Sequence, residues 1–389
     1  MSNDIVYLDY AASTPVDPRV AQLMSSHLTA EGEYANPSSV HIAGRRASAI
    51  IAKGAQQLSG LLNCDPRELV WTSGATESDN LAIAGVARHR EARGRHLITM
   101  PTEHKAVTDV FRALEKQGFD VTWLHPDSSG RLPINELEAA LRDDTQLVSI
   151  MYVNNETGVT QDVEEIGGLC RERDVLFHVD AAQALGKLPL DLGALPIDLA
   201  SMTAHKMYGP NGIGALYIAD RAGCHIEPLF FGGGQQGRIR PGTLPVHLIA
   251  AFGLAADIAA DSMQADFEQI QILHDRLWAS VSEIRGVTRN GSEQHRFPGI
   301  LNVSVEDIEG ESLLLALEPL CVATGSACNS QGQEPSYVLR ALGLSDALAQ
   351  SAIRFSFGRE STAADIDFAA QRYSDAVTRL RQIAPGRAA

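Results

Sequence analysis

The chain has 389 residues, of which 44% are hydrophobic and 21% are charged, and its formal net charge is −16. This length and composition predict a soluble globular protein with a large core and two or three domains. The acidic balance disfavours nucleic acid and anionic membranes as partners, because both bind clustered Lys and Arg, and it favours small-molecule chemistry. No basic and apolar leader pattern opens the chain, and Asp257 interrupts the longest apolar stretch, so we expect a cytoplasmic protein.

The chain opens with a segment that predicts an extended arm over residues 1–14. A helix from about Val16 and a second helix over His41–Leu62 follow, the latter from apolar residues at helical spacing. From Glu68 onward, short apolar runs alternate with amphipathic segments, which is typical of βα units and a mainly parallel sheet. The predicted strands are Leu69–Ser73, His96–Met100, Phe119–Leu124, Gln146–Val153, Val175–Val179, Asp198–Thr203 and Gly214–Ile218, with helices such as Lys105–Gln117 and Val163–Arg173 between them.

This alternation predicts the α/β class, with one large α/β domain over residues 15–246. A long helical stretch over residues 247–284 reads as a connector. A smaller α+β domain is expected over residues 285–389. Its predicted strands are Ile300–Val305, Val322–Thr324 and Ile353–Phe357, and its predicted helices are Glu311–Leu317, Ser336–Leu342 and Ala364–Ile383.

A lysine ends one of the predicted strands. Lys206 closes the run that starts at Ile197, and Gly209 and Pro210 after it predict a turn. The carboxyl end of a strand faces the usual ligand crevice of an open α/β sheet. Lys206 is therefore a candidate reactive amine, and an ordinary solvated lysine is the alternative.

The segment Ser73–Ser78 follows a strand and opens a helix. Free backbone N–H groups, hydroxyls and the helix dipole at such a start favour an anion, of which phosphate is the obvious example. An ordinary helix N-cap with Glu77 in its first turn is the alternative.

A carboxylate, Asp180, ends an almost continuously apolar strand, where a charge needs a dedicated partner such as a protonated pyridine nitrogen. Gln183, three residues later, is placed to hydrogen-bond a ring substituent. A capping Asp is the alternative. An acid, a phosphate cradle and a strand-end lysine are the three groups that pyridoxal phosphate requires, so this cofactor is predicted.

Other polar groups follow strand ends at the same edge of the sheet. His104 and Asn155 are candidates to line the crevice, with turn residues as the alternative, and Thr203 and His205 flank Lys206 as further phosphate donors. The glycines of Gly232–Gly237 match a dinucleotide-binding pattern but open no helix, which leaves a nicotinamide enzyme as a remote alternative.

The five cysteines are odd in number and widely spaced, which indicates neither a disulfide framework nor a zinc site, and no metal ligands are predicted. Cys328 stands apart because its surroundings are rich in Gly and Ser, as in a loop, where a thiolate would be a nucleophile. Arg354 lies within an apolar strand, and a clamp on a substrate carboxylate would explain it. A spare thiol and a surface ion pair are the respective alternatives.

These residues and their order resemble the cysteine desulfurases of the NifS/IscS type, which have the aminotransferase-like fold of pyridoxal-phosphate enzymes. The resemblance covers nearly the whole chain. It rests on Tyr7–Pro15, Ser73–Asn80, Thr102–Lys105, Val153–Gly158, His178–Gln183, His205–Lys206, Gly242–Pro245, Gly325–Cys328 and Ile353–Ser356.

The resemblance implies a role for each matching position. Lys206 would hold the cofactor, Asp180 would pair with its ring nitrogen, Gln183 would contact its ring hydroxyl, and His104 would stack on the ring and help to move protons. The phosphate would be bound by Ala75, Thr76, Thr203 and His205, joined by Thr243 from a second subunit, so that the active unit is a homodimer.

The family's reaction follows from the same resemblance. Asn155 and Arg354 would hold the substrate carboxylate, and Cys328 would take sulfur from L-cysteine as an enzyme persulfide and release L-alanine; the persulfide sulfur would later pass to an acceptor protein. The segment 220–225 lacks a basic cluster that serves partner docking in the family, so the acceptor stays open between iron–sulfur, thiolation and cofactor pathways. A selenocysteine lyase, an aminotransferase and a noncatalytic assembly subunit are the alternatives.

Overall fold

The computed structural model describes residues 5–221, 223–324 and 334–383. The helices are α1 Pro18–Ser26, α2 Ile42–Leu62, α3 Ala75–His89, α4 Lys105–Lys116, α5 Ile134–Ala140, α6 Val163–Glu172, α7 Val246–Val281, α8 Gly310–Ala316, α9 Tyr337–Ala341, α10 Asp346–Gln350 and α11 Ala363–Ile383. The strands are β1 Val6–Tyr7, β2 Leu69–Thr72, β3 His96–Thr99, β4 Asp120–Trp123, β5 Thr145–Ser149, β6 Leu176–Asp180, β7 Leu199–Thr203, β8 Gly214–Ile218, β9 Val287–Arg289, β10 Ile300–Val305, β11 Leu320–Cys321, β12 Ala323–Thr324 and β13 Ile353–Ser356.

A seven-stranded sheet with the order β2-β8-β7-β6-β5-β3-β4 forms the centre of the molecule. Strand β8 runs antiparallel to both of its neighbours, and the other pairings are parallel. Adjacent strand residues alternate between two apolar cores: Val70 and Leu216 join one, and Trp71 and Ala215 the other. A sheet covered on both faces explains why its strands read as continuous apolar runs, and the predicted α/β class is confirmed.

A second, four-stranded antiparallel sheet has the order β12-β13-β10-β9. It packs with α11 and the end of α7 around a separate core that contains Leu301, Phe355 and Tyr373. The N-terminal arm belongs to this part of the chain, since β1 pairs in parallel with β11 and Leu8 is buried in the same core. The domain boundaries predicted from the sequence, after residues 14, 246 and 284, remain a prediction.

Helix α7 is a single 36-residue helix that contributes to both large cores. Ile249, Phe252 and Ala256 lie in the core of the seven-stranded sheet, whereas Leu273 and Leu277 lie in the core of the smaller sheet. Among the described residues it is the one helix long and apolar enough to cross a membrane, with a mean hydropathy of 1.4. Its apolar window is 56% buried inside the protein, as in the core helix of a soluble fold.

Most predicted elements lie where the sequence placed them, with ends that differ by a few residues. The largest difference concerns the predicted strand Gln146–Val153, because β5 ends at Ser149. Beyond Ser149 the chain leaves the sheet and turns, and the Asn154 side chain accepts the N–H groups of Glu156 and Thr157 at 2.9 Å. The apolar residues after Ser149 therefore do not extend the strand. The short elements α5, α10, β9 and β11 were not predicted.

Candidate active site

A cavity of about 610 Å³ opens at the carboxyl ends of the parallel strands, between the large sheet and the smaller one. This is the position expected of a ligand site in an open α/β sheet. Ten of the twelve predicted site residues line it, namely Ala75, Thr76, His104, Asn155, Asp180, Gln183, Thr203, His205, Lys206 and Arg354.

Lys206 lies directly after β7, in a short 3₁₀ turn over Ala204–Lys206. The N-terminal arm holds this turn: the Thr14 hydroxyl donates to the His205 carbonyl oxygen at 2.9 Å and accepts the Tyr208 N–H at 2.7 Å. Burial lowers the pKa of the His205 imidazole to about 4. His205 is therefore a neutral hydrogen-bonding group beside Lys206 at neutral pH.

The start of α3 forms the predicted anion cradle. Its N-cap is Gly74, which has no side chain to occupy the first N–H groups. Glu77 does not close a capping box; it accepts the Ser73 N–H at 2.7 Å and pairs with Arg240 at 2.7 Å. The N–H groups at this helix start therefore face the cavity without a side-chain cap, as an anion site requires.

Asp180 ends β6 and is 6% exposed. One of its oxygens accepts the Ala182 N–H at 2.9 Å, so the capping interpretation holds for that oxygen. The residue also lines the cavity, where a cationic ring nitrogen would pair with its buried carboxylate. Capping and ligand binding are therefore compatible.

His104 is the N-cap of α4, and its Nδ1 accepts the Ala106 N–H at 3.1 Å. Loss of hydration lowers the pKa of its imidazole below the ordinary value. A neutral ring that accepts at Nδ1 carries its proton on Nε2. His104 therefore presents one defined tautomer in the cavity wall.

Arg354 is buried in β13 and forms an ion pair with Asp9 of the arm, with Nη2 at 2.6 Å from the carboxylate. Its Nη1 donates to the Asn155 carbonyl oxygen at 2.8 Å. From the sequence, a surface ion pair was the alternative role for Arg354. The ion pair exists, but it is buried, and it fixes the guanidinium at the cavity. Among the described residues its Nε has no hydrogen-bond partner, which leaves a donor in a buried position.

Three buried acids near these residues had no role assigned from the sequence. Asp79 is 1% exposed and lines the cavity, and Glu103 is fully buried. Burial raises both pKa values well above their usual range, with the charge of Asp180 adding to the effect. His178 lies 3.6 Å from Asp79, but burial lowers its pKa to about 3, so the two form no ion pair at neutral pH.

The third buried acid is Glu156, which lines the cavity and accepts the Ser336 hydroxyl at 2.6 Å. Burial raises the pKa of Glu156 to about 7. The three acids stand in the matched segments Ser73–Asn80, Thr102–Lys105 and Val153–Gly158, but no role was predicted for them. A carboxylate in a helix or after a turn is usually solvated, and only tertiary packing removes the water.

The remaining two predicted site residues are Thr243 and Cys328. Thr243 is exposed to solvent in the single chain. Cys328 lies outside the described residues. The four described cysteines, Cys64, Cys170, Cys224 and Cys321, do not line the cavity, and burial raises the pKa of the first three thiols, which disfavours the reactive thiolate.

Residues 6–368 of this chain match the family model described as aminotransferase class-V. The chain belongs to the class-V aminotransferase family. It is 51% identical to proteins named cysteine desulfurase IscS from Vibrio campbellii and Escherichia coli, over 98% of this chain and 94% of each relative. Together these matches place it among the cysteine desulfurases of that family, so the resemblance identified from the motifs is confirmed.

Solved structures give the same family assignment. A NifS-like protein matches with a TM-score of 0.90 and 34% identity over 97% of this chain and 100% of that one. A structure described as SspA in complex with cysteine matches with a TM-score of 0.82 and 37% identity over 92% and 99% of the two chains. The aminotransferase-like fold is therefore confirmed, and members of this family use pyridoxal phosphate.

Proposed function

We propose that the protein removes sulfur from L-cysteine, giving L-alanine and a persulfide on Cys328. The observation that carries this proposal is the convergence of an amine, a buried acid and an uncapped helix start in one cavity, in a chain that is 51% identical to named cysteine desulfurases. Those three groups match the amine, cation partner and phosphate site that pyridoxal 5'-phosphate requires.

The cavity residues fit that cofactor in number and chemistry. The phosphate would be held at Ala75 and Thr76 together with Thr203 and His205, and a cationic ring nitrogen would face Asp180. Lys206 would be the amine that attaches the cofactor. When bound, pyridoxal phosphate supplies an electron-accepting ring that stabilises negative charge at the substrate α-carbon.

His104 is the group we assign to proton movement. While Nδ1 accepts the Ala106 N–H, the proton on Nε2 makes that atom a hydrogen-bond donor; to take up a proton at Nε2, the ring would release the Ala106 N–H and carry its proton on Nδ1 instead. Arg354 and Asn155 would hold the substrate carboxylate, since both line the cavity and Asp9 fixes the guanidinium there. Both ends of the amino acid would then be oriented before reaction.

Cys328 is assigned as the nucleophile because of the resemblance and its place in the sequence. Thr324, four residues earlier in the chain, lines the cavity. Downstream, Ser336 is hydrogen-bonded to the cavity residue Glu156. The thiolate would attack the substrate sulfur: an S–S bond forms, the C–S bond breaks, and the carbon takes up a proton to give alanine.

A homodimer would complete the site. Thr243 is exposed in the single chain, as expected for a residue that serves the cavity of a second subunit. Large apolar side chains are exposed over residues 28–42 and at 230–231, including Val40 at 89% and Phe231 at 91%. A second copy of this chain is the proposed cover for these side chains.

The persulfide sulfur would pass to an acceptor protein, for which an iron–sulfur scaffold is one candidate. The location we propose is the cytoplasm, and the net charge of −16 argues against a direct nucleic-acid partner. These assignments rest on the relatives and the composition.

The proposed function is tested by incubating the purified protein with L-cysteine and a thiol acceptor. We expect stoichiometric alanine and sulfide, a persulfide on Cys328 by mass spectrometry, and visible absorbance that borohydride abolishes. Cys328→Ser should retain the cofactor and lose sulfide production, whereas Cys321→Ser should match the wild type. Full activity of Cys328→Ser would refute the assignment of the nucleophile.

A further inference from the structure

Lys187 lies behind the cavity rather than in its wall, four residues after Gln183. Its Nζ is 3.1 Å from the Gln183 Oε1 and 5.7 Å from the centre of the Phe297 ring. Tyr10, Phe267 and Phe357 line the same small, mostly apolar pocket, and so does Asp266, which pairs with Arg359. A lysine amine in such surroundings is costly, so its hydrogen bond to Gln183 is its main compensation.

Gln183 is 3% exposed and lines the cavity, and both ends of its carboxamide are held. Its Nε2 donates to the Ala11 carbonyl oxygen at 2.8 Å, and its Oε1 faces Lys187. A backbone carbonyl can only accept, and an ammonium can only donate. The orientation of the amide is therefore fixed by chemistry, with oxygen towards Lys187 and nitrogen towards the arm.

This orientation decides what Gln183 offers to a ligand. One Nε2 hydrogen remains after the bond to Ala11. A cation on Oε1 draws electron density from the amide, which strengthens that N–H as a donor and weakens the oxygen as an acceptor. Gln183 would thus favour a ligand oxygen that carries negative charge.

We propose that Lys187 is a positioning residue that holds Gln183 as a hydrogen-bond donor to the ring oxygen of pyridoxal phosphate in its anionic form. The proposal rests on the function proposed above, because it takes this cofactor as the ligand. Burial, assisted by Lys206 and Arg354, lowers the pKa of the Lys187 ammonium to about 7, and an anionic oxygen nearby would favour the protonated amine.

The test compares two ligands of the apoprotein, pyridoxal 5'-phosphate and 3-deoxypyridoxal 5'-phosphate, which lacks only the ring hydroxyl. Dissociation constants are measured for the wild type, Lys187→Met, Lys187→Arg and the exposed control Lys116→Met. We expect Lys187→Met to weaken pyridoxal phosphate about tenfold or more and the deoxy compound less than about twofold. Lys187→Arg, which keeps a cationic donor, and Lys116→Met should bind both compounds as the wild type does.

Equal weakening of both ligands in Lys187→Met would overturn the proposal, because the residue would then support the cavity in general. Unchanged binding of pyridoxal phosphate in Lys187→Met would overturn it as well. So would a Lys187→Arg variant that binds pyridoxal phosphate no more tightly, relative to the deoxy compound, than Lys187→Met is expected to. The Lys187→Arg result decides the question even if thermal melting shows that Lys187→Met does not fold. A wild type that binds neither compound would overturn the proposed cofactor as well as the role of Lys187. Failure of the proposed function is therefore distinguishable from failure of this proposal alone.

Discussion

At the scale of single residues, His104 combines a structural and a chemical role. Its Nδ1 caps α4, and its Nε2 is the atom to which we assign proton transfer. His104→Gln removes the titratable group, so we expect kcat to fall by about 10²- to 10⁴-fold, the usual contribution of one general acid or base. Alanine release under saturating cysteine measures kcat, and cofactor content by absorbance is the control, which should stay near one per subunit. A kcat within about threefold of the wild type would exclude the assignment.

Glu156 makes a prediction about pH and stability. Its pKa is raised to about 7 in the folded protein, so folding favours the protonated acid. That contribution to stability is complete below the ordinary value near 4.5 and is lost as pH rises through about 7. Glu156→Gln, which keeps an acceptor for Ser336, should therefore gain stability over the wild type between pH 5 and pH 8, by up to about 3 kcal/mol.

Thermal melting of the apoprotein at pH 5 and pH 8 measures this difference. The exposed Glu138→Gln is the matched control and should shift Tm equally at both pH values. A Glu156→Gln effect independent of pH would show that Glu156 is ionised in the folded protein throughout this range.

At the scale of elements, the N-terminal arm positions the site although it lies far from it in sequence. Asp9 holds Arg354 at 2.6 Å, the Ala11 carbonyl holds Gln183 at 2.8 Å, and Thr14 holds the turn that carries Lys206. Asp9→Asn removes the charge that fixes Arg354. We expect KM for cysteine to rise about tenfold with little change in cofactor affinity, and the exposed Asp143→Asn to leave KM unchanged. A change in kcat alone would contradict this role.

The contact between β8 and the start of α3 is the second positioning element. A Cβ at Gly214 would lie 2.5 Å from the Met202 carbonyl oxygen and 2.6 Å from the Gly74 Cα. Backbone atoms cannot yield as a flexible side chain would, so Gly214→Ala should displace the cradle and destabilise the protein by more than about 2 kcal/mol. Gly60→Ala, with no atom within 4 Å in helix α2, should instead stabilise by about 0.5–1 kcal/mol. Urea unfolding measures the stability of both variants, and binding of a phosphate analogue measures displacement of the cradle. A Gly214→Ala variant as stable as the wild type would disprove the close contact.

At the scale of the whole molecule, the proposed dimer places Thr243 of one subunit at the cavity of another. Lys206→Ala should be inactive, and Thr243→Asp should be nearly so because its carboxylate would repel the phosphate. Mixing the two with subunit exchange should restore about a quarter of the wild-type activity, because about half of the dimers are mixed and each has one intact site. Complementation measured after refolding a 1:1 mixture tests this, and no recovery alongside verified mixed dimers would contradict a shared site.

The sequence by itself determined the α/β class, most strands and the composition of the cavity. Apolar runs at regular intervals predict buried parallel strands, and polar residues at their ends must meet at one edge, so Lys206, Asp180 and the Ser73–Ser78 segment were predicted together. These inferences depend on local periodicity and on a general rule of sheet geometry.

Only the tertiary structure decided the electrostatic state of the site. Asp79, Glu103 and Glu156 are acids whose loss of water depends on packing between elements far apart in the chain. The contacts Asp9–Arg354 and Lys187–Gln183 are further examples: the first joins residues 345 positions apart, and the second depends on a pocket built from six separate regions of the chain. Burial and long-range partners set the charge and orientation of a side chain, and neither is encoded in its immediate neighbours.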